Sequence, residues 1–141
     1  MLKFGIQNGL NVARLGLTED QILTACSLAD KTGYHSIWYM DHSNVPQWSN
    51  AIVNDPWVML AGIAAVTNNV ELGTCVTDAL RRHPSNIALA SITLDRLSKG
   101  RGTLGIGAGE AQNLKEFNIP FDKPVSKFEE QLQVIKHLYD S

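Results

Sequence analysis

Short clusters of polar residues in this 141-residue chain hold groups that could do chemistry. Asp41-His42 sets a carboxylate beside an imidazole, and Thr77-Asp78 offers a hydroxyl and a second carboxylate. Glu110, with Gln112 and Asn113, follows the alternating glycines Gly105, Gly107 and Gly109. A histidine near carboxylates can move a proton near neutral pH, because its reference pKa is about 6.5. Glu110 behind a glycine loop rises in pKa if the pocket around it is dry. Glycines at the end of a strand let a flat ligand or a backbone approach closely.

The same residues have plainer readings. Asp41 can simply make a turn, His42 can lie on the surface, and the glycine loop can be a tight turn without a ligand. Gln112 stands where a dinucleotide fingerprint would place its third glycine, and no Lys-Ser/Thr ending marks a phosphate loop. His83, ahead of Pro84, reads as a loop or cap residue, and His35 and His137 read as surface. Trp38 and Trp57 read as core, whereas Trp48, in an open polar loop, is placed to cover a ligand. No nucleophile–base arrangement and no metal-ligand spacing is visible.

The elements that would position these groups alternate between strand and helix. Leu2 to Gln7 reads as a strand, and residues 8 to 17 as a loop. Thr18-Glu19-Asp20-Gln21 is a capping box opening a helix that Gly33 closes. Ser36 to Met40 is a second strand, apolar enough to be buried on both faces. Asp55-Pro56, an N-cap followed by proline at the first helical position, opens the next helix. Val70 to Val76 is the third strand, Pro84 begins a helix ended by Lys99-Gly100, and Thr103 to Ile106 is the fourth strand. A second capping box, Ser126-Lys127-Phe128-Glu129, opens a last helix. Asp41-His42, Thr77-Asp78 and Glu110 all follow strands, so in a parallel sheet they share one end and can converge.

Four such βα units make one domain over residues 1–141. Periodicity leaves two architectures open: an open flavodoxin-like parallel sheet, or half of a (βα)8 barrel, since a full barrel needs roughly 200 residues or more. Hydrophobic residues make up 44% of the chain and its formal net charge is -2, which excludes a nucleic-acid footprint and a disordered composition. No apolar run reaches the length of a membrane span and no signal peptide is recognised, so a cytoplasmic protein is expected. Cys26 and Cys75 are expected as buried free thiols.

Larger blocks of sequence resemble the N-terminal half of the luciferase-like flavin and deazaflavin oxidoreductases, a (βα)8-barrel superfamily. The blocks are Trp38-Tyr39-Met40-Asp41-His42 and Leu72 to Thr77, with Arg82-His83-Pro84, Thr93 to Ser98 and Leu104 to Glu110 the most specific. The Asp-His pair and the run Gly109 to Asn113 look like the branch that uses coenzyme F420, which includes methylenetetrahydromethanopterin reductase.

The resemblance implies hydride transfer between F420 and an organic small-molecule substrate, with His42 and Glu110 catalytic. It places Asp41, Cys75, Val76, Thr77, Gly107, Gly109 and Asn113 at the cofactor, with a non-prolyl cis peptide at Cys75-Val76. A homo-oligomer is also expected, since exposed strand edges invite pairing. The alternatives are an FMN-dependent monooxygenase on the same scaffold and a non-catalytic fragment that acts only by subunit association. Pro46 stands where alcohol- and sugar-oxidising relatives carry tryptophan, and Gln7 where some carry glutamate. The chain stops after the fourth unit, which suggests a piece of a longer enzyme.

Overall fold

A computed structural model describes residues 2–8, 15–43 and 53–140. Trp48 and Pro46, singled out above, lie outside the described residues. The elements are β1 (Gly5–Asn8), α1 (Glu19–Lys31), β2 (Ser36–Tyr39), α2 (Pro56–Val66), β3 (Glu71–Thr74) and β4 (Thr77–Asp78). They continue with α3 (Pro84–Ser98), β5 (Gly102–Thr103), β6 (Ile106–Gly107), α4 (Ala111–Lys115) and α5 (Pro124–Tyr139).

Strands β1, β2, β3 and β5 form one parallel sheet in that order. The order in this sheet follows the sequence without reversal, while β4 and β6 pair separately. A flavodoxin-like sheet reverses its strand order at a switch point; this one does not, so the open doubly wound alternative is set aside. Right-handed crossovers between successive parallel strands lay every helix on the same face. The helices agree: α1 packs on α2, α2 on α3 and α3 on α5. A single outer layer of helices over a singly wound sheet is a sector of a (βα)8 barrel.

The pleat sorts the side chains. Ile37 and Leu72 lie at one level and Tyr39 and Thr74 at another, all buried toward the helices. They meet Ile22, Cys26, Leu60, Ile63 and Leu94 in the main core. The alternate positions, Gln7, Trp38, Gly73 and Thr103, share the opposite, inner face. β2 is therefore not buried on both faces: Trp38 is half-exposed on the inner one. Its indole donates to Ser36 Oγ (2.9 Å) and lies flat over Gly73, where an added Cβ would stand 2.6 Å from the ring.

Most helix starts are those the sequence marks. Thr18 and Gln21 form the reciprocal capping box of α1. Asp55 caps α2 ahead of Pro56, and His83 caps α3 ahead of Pro84. Gly33 and Gly100 take positive φ after α1 and α3. The box at Ser126 is a correction: α5 begins two residues earlier at Pro124, with Lys123 in the left-handed region as its N-cap. Proline's preset φ suits the first helical position, and it claims the start.

The fourth strand is a second correction. Instead of running through Thr103 to Ile106, it divides into β5, which pairs with β3, and β6, which pairs with β4. Gly105 sits at the break, where an added Cβ would collide with the Thr74 carbonyl oxygen. The third strand likewise stops at Thr74, so Cys75 lies outside it and is exposed, not buried, while Cys26 is buried.

Two polar clamps fix the connections. Asp30 accepts the backbone N–H groups of Asn68 (3.0 Å), Asn69 (2.8 Å) and Val70 (2.9 Å), setting the entry to β3. Arg101 donates to Ser98 O (2.7 Å), Val70 O (2.8 Å), Thr67 O (3.1 Å) and Ala64 O (3.3 Å), tying the end of α2 to the start of β5.

Candidate functional site

The ends of four strands meet at one hollow of about 400 Å³. After β2 come Met40, Asp41 and His42; after β3, Cys75 and Val76; from β4, Asp78; and from the end of β6 onward, Gly107 to Glu110 with Asn113. Because the strands are parallel, their C-terminal ends open on the same side, and residues far apart in sequence converge there. Of the residues given a catalytic or cofactor role above, Asp41, His42, Cys75, Val76, Gly107, Gly109, Glu110 and Asn113 line this hollow and Thr77 does not; Gly105 and Gln112 also lie outside its lining.

The peptide between Cys75 and Val76 is cis. It turns the chain out of the four-stranded sheet and into β4, which pairs with β6 through Thr77–Ile106 and Asp78–Gly107. Val76 is left 49% exposed. Gly107 makes room for it, since a Cβ there would lie 2.9 Å from Val76 Cγ2. Val76 is thus an apolar ridge on a polar hollow.

Asp41 is only 3% exposed, and its carboxylate is fully engaged. Oδ2 accepts from Thr77 Oγ1 (2.5 Å) and Arg82 Nε (2.7 Å). Oδ1 accepts from Arg82 Nη2 (3.0 Å) and from Arg81 Nη2. Burial works against the charge, but the hydrogen bonds from Arg82 and Thr77 and the charges of both arginines outweigh it, so the carboxyl stays below its usual range. Arg82 extends the network by donating to Asp55 Oδ2 (2.5 Å), which also caps α2 through Oδ1. Burial opposes the Arg82 charge, yet its bonds to Asp41 and Asp55 push its pKa up.

Thr77 belongs to this network rather than to the hollow. It is fully buried, and its hydroxyl also accepts from Trp57 Nε1 (3.4 Å). The sequence quoted Arg82 only within a motif and passed over Arg81. The available signal was general: a buried aspartate requires a cationic or donor partner.

His42 is half-buried on the rim. Glu110 is exposed, with its Oε2 accepting from Gln112 Nε2 (2.5 Å). Dry surroundings, the condition set above for Glu110, are absent there. They surround Asp78 instead, which the sequence named beside Thr77 without a role. Asp78 is 4% exposed. Burial pushes its carboxyl up in pKa, only partly offset by the backbone N–H groups of Arg81 and Leu80. Among the described residues no cluster of His, Cys, Asp or Glu could hold a metal ion, and no helix is long and apolar enough to cross a membrane.

Comparison with known proteins agrees with this architecture. A family model described as luciferase-like monooxygenase matches residues 6–141. The phthiodiolone/phenolphthiodiolone dimycocerosates ketoreductase of Mycobacterium tuberculosis is 34% identical, over 99% of this chain and 41% of its own. The F420-dependent glucose-6-phosphate dehydrogenase of Kineococcus radiotolerans is 36% identical, over 79% of this chain and 34% of its own. An F420-dependent secondary alcohol dehydrogenase, solved with an F420-acetone adduct, superposes with a TM-score of 0.85 at 24% identity, covering 99% of this chain and 42% of that one. The chain thus spans less than half the length of these relatives.

Proposed function

The chain belongs to the luciferase-like monooxygenase family, and on that premise we propose that its hollow receives the ring of the deazaflavin F420. It would be the N-terminal part of an oxidoreductase in which a hydride passes between that ring and an organic small molecule. One observation carries the reading: residues 41–42, 75–76, 107–110 and 113, from three strand ends, line one hollow. The residues suit a flat ring with a polar edge. Val76 offers an apolar ridge, Gly107 and Gly109 hold the facing wall close, and buried polar atoms of Asp78 and Asn113 lack partners in the protein. The volume falls in the ordinary range for cofactor sites, roughly 300–1,000 Å³.

When bound, F420 supplies a centre that accepts or releases hydride. The chain's own residues bind, orient and move protons. His42, half-buried beside the hollow, is the group able to take or give a proton at the substrate oxygen. Glu110, an exposed carboxylate lining the same hollow, is the second group for proton transfer at the reacting face. Asp41 positions the loop that carries His42, because both its oxygens are already held by Thr77, Arg81 and Arg82. Thr77 supports Asp41 instead of touching the ring. Cys75 and Asn113 complete the walls. The reading includes a cytoplasmic location and self-association.

Fluorescence titration of the purified chain with F420 tests it, with FMN run in parallel. Saturable F420 binding at micromolar concentrations, with alkylation of exposed Cys75 slowed by the cofactor, is the expected result. A folded chain that binds neither cofactor overturns it. The family's description favours a second reading, an FMN-dependent monooxygenase; tighter binding of FMN with oxygen uptake by its reduced form would select that one.

A further inference from the structure

The four-stranded sheet ends in two bare edges, β1 on one side and β5 on the other. Phe4 O accepts from His35 N (2.7 Å) and Asn8 O from Met40 N (3.3 Å), so the alternate residues Gly5 and Gln7 turn their backbone N–H and C=O groups away from β2. At the other edge Arg101 O accepts from Leu72 N (2.8 Å), so Gly102 and Leu104 turn theirs away from β3. An unpaired strand edge is a template for another strand. The helices are uneven in the same sense. α5 packs on α3, and its Leu132, Leu138 and Tyr139 stay exposed. Between the end of α5, α3 and β5 lies a groove of about 490 Å³, lined by Ser91, Leu94, Gly102, Leu104, Leu138 and Tyr139. Among the described residues no helix precedes β1, and Leu2 and Phe4 at its entrance stand 78% and 63% exposed.

We propose that the groove and the β5 edge receive the β1 edge of a second copy of this chain, so that two copies close one eight-stranded barrel. The β5 edge has a helix with no strand beyond it to cover. The β1 edge has a strand flank with no helix over it. Each edge supplies what the other lacks, and both lie on this chain, so the partner is a second copy. Side chains alternate along a strand, so Leu2 and Phe4 share with Ile6 the face turned toward the helices, the face that α5 of the second copy covers. Contact between two unlike edges is heterologous, and it ends in a ring only if the rotation closes. The sheet holds four parallel strands in sequential order, half of those in a (βα)8 barrel, so the ring closes at two copies with the two-fold axis along the barrel. Both new junctions are then parallel, like the pairs within each copy. Joining β1 to β1 would instead pair the strands antiparallel and leave the groove open. Closure also places Gln7, Trp38 and Thr103 of both copies in the barrel interior, which side chains fill in layers.

The test is sedimentation of the full chain combined with thiol cross-linking. Sedimentation is expected to show a monomer–dimer equilibrium that stops at twice the 15.5 kDa chain mass. Phe4→Glu, at an exposed residue outside the core, should weaken dimerisation about tenfold or more, because it replaces a buried phenylalanine in the junction, and should leave the circular-dichroism spectrum of the monomer unchanged. For cross-linking, Phe4→Cys and Leu138→Cys are each made on a Cys75→Ser background, mixed, and treated with a short bismaleimide. A linked dimer is expected from the mixture and from neither variant alone. Linked dimers from Phe4→Cys alone would show β1 meeting β1, and a ladder of larger species would show open stacking; either overturns the closed pair. A dimer that gives no link in the mixture overturns it too. So does a chain that stays monomeric at every concentration, which would assign the groove to a different polypeptide.

Discussion

At the residue scale, the two buried aspartates of the site are opposites. Asp41 has every acceptor filled, while Asp78 keeps one empty. Removing both cationic partners of a buried carboxylate would leave a charge without compensation, at about 3–5 kcal/mol, but Arg81 and Thr77 still hold Asp41 when Arg82 is gone. Arg82→Ala should therefore destabilise the chain by less than that in urea unfolding, about 1–3 kcal/mol, with the loss shrinking below about pH 4 as Asp41 takes up a proton. The sign follows from the depressed folded-state pKa: Asp41 stabilises above its unfolded value and ceases to do so as pH falls through its folded one. For Asp78 the folded pKa is raised. Its contribution is present below the unfolded value and is lost as pH rises through the folded one. Asp78→Asn should therefore raise stability at pH 7, with the gain vanishing near pH 3. Thermal melts at both pH values check this; a gain that persists at pH 3 would exclude burial of the charge as its cause.

At the element scale, the parts that hold the hollow are short, so their positions depend on side chains outside them. β5 has two residues, and its entry is set by Arg101 bonding to the carbonyls of Ala64, Thr67, Val70 and Ser98. Arg101→Met keeps most of the stem but leaves those carbonyls without their donor. A loss of about 3 kcal/mol is expected, since several buried acceptors go unpaired together. Hydrogen exchange at Leu72 N, which donates to Arg101 O (2.8 Å), should accelerate along with it. Unchanged protection there would mean that the turn after α3, held by Gly100 N to Asp95 O (2.8 Å), suffices to seat β5.

At the scale of the whole molecule, the helix layer covers only one face of the sheet. The inner face carries Gln7, half-exposed Trp38 and Glu71, and the strand entrance carries exposed Leu2 and Phe4. In a closed barrel the corresponding face is packed with side chains. Exposed apolar surface and open strand edges favour association. Sedimentation of this chain should accordingly show concentration-dependent association, accompanied by a blue shift of tryptophan emission as Trp38 is covered. A monomer at all concentrations, with unshifted emission, would exclude the inner face as the contact.

The sequence by itself determined the local features. Thr18, Asp55-Pro56 and His83-Pro84 start helices because a cap side chain or a proline acts within a few residues, and such signals are readable without knowing the fold. The alternation of strands with helices also placed Asp41, His42, Val76, Glu110 and Asn113 at strand ends that share one side. Tertiary structure decided what depends on neighbours distant in sequence. The sequential strand order chose the barrel sector over the reversed sheet, and pairing with two different strands broke the fourth strand at Gly105. Arg81 and Arg82 claimed Asp41, Thr77 was drawn into that network, and Glu110 stayed exposed while Asp78 took the dry position. Burial and charge pairing are properties of a side chain's surroundings in space, and only packing of separate elements creates those surroundings.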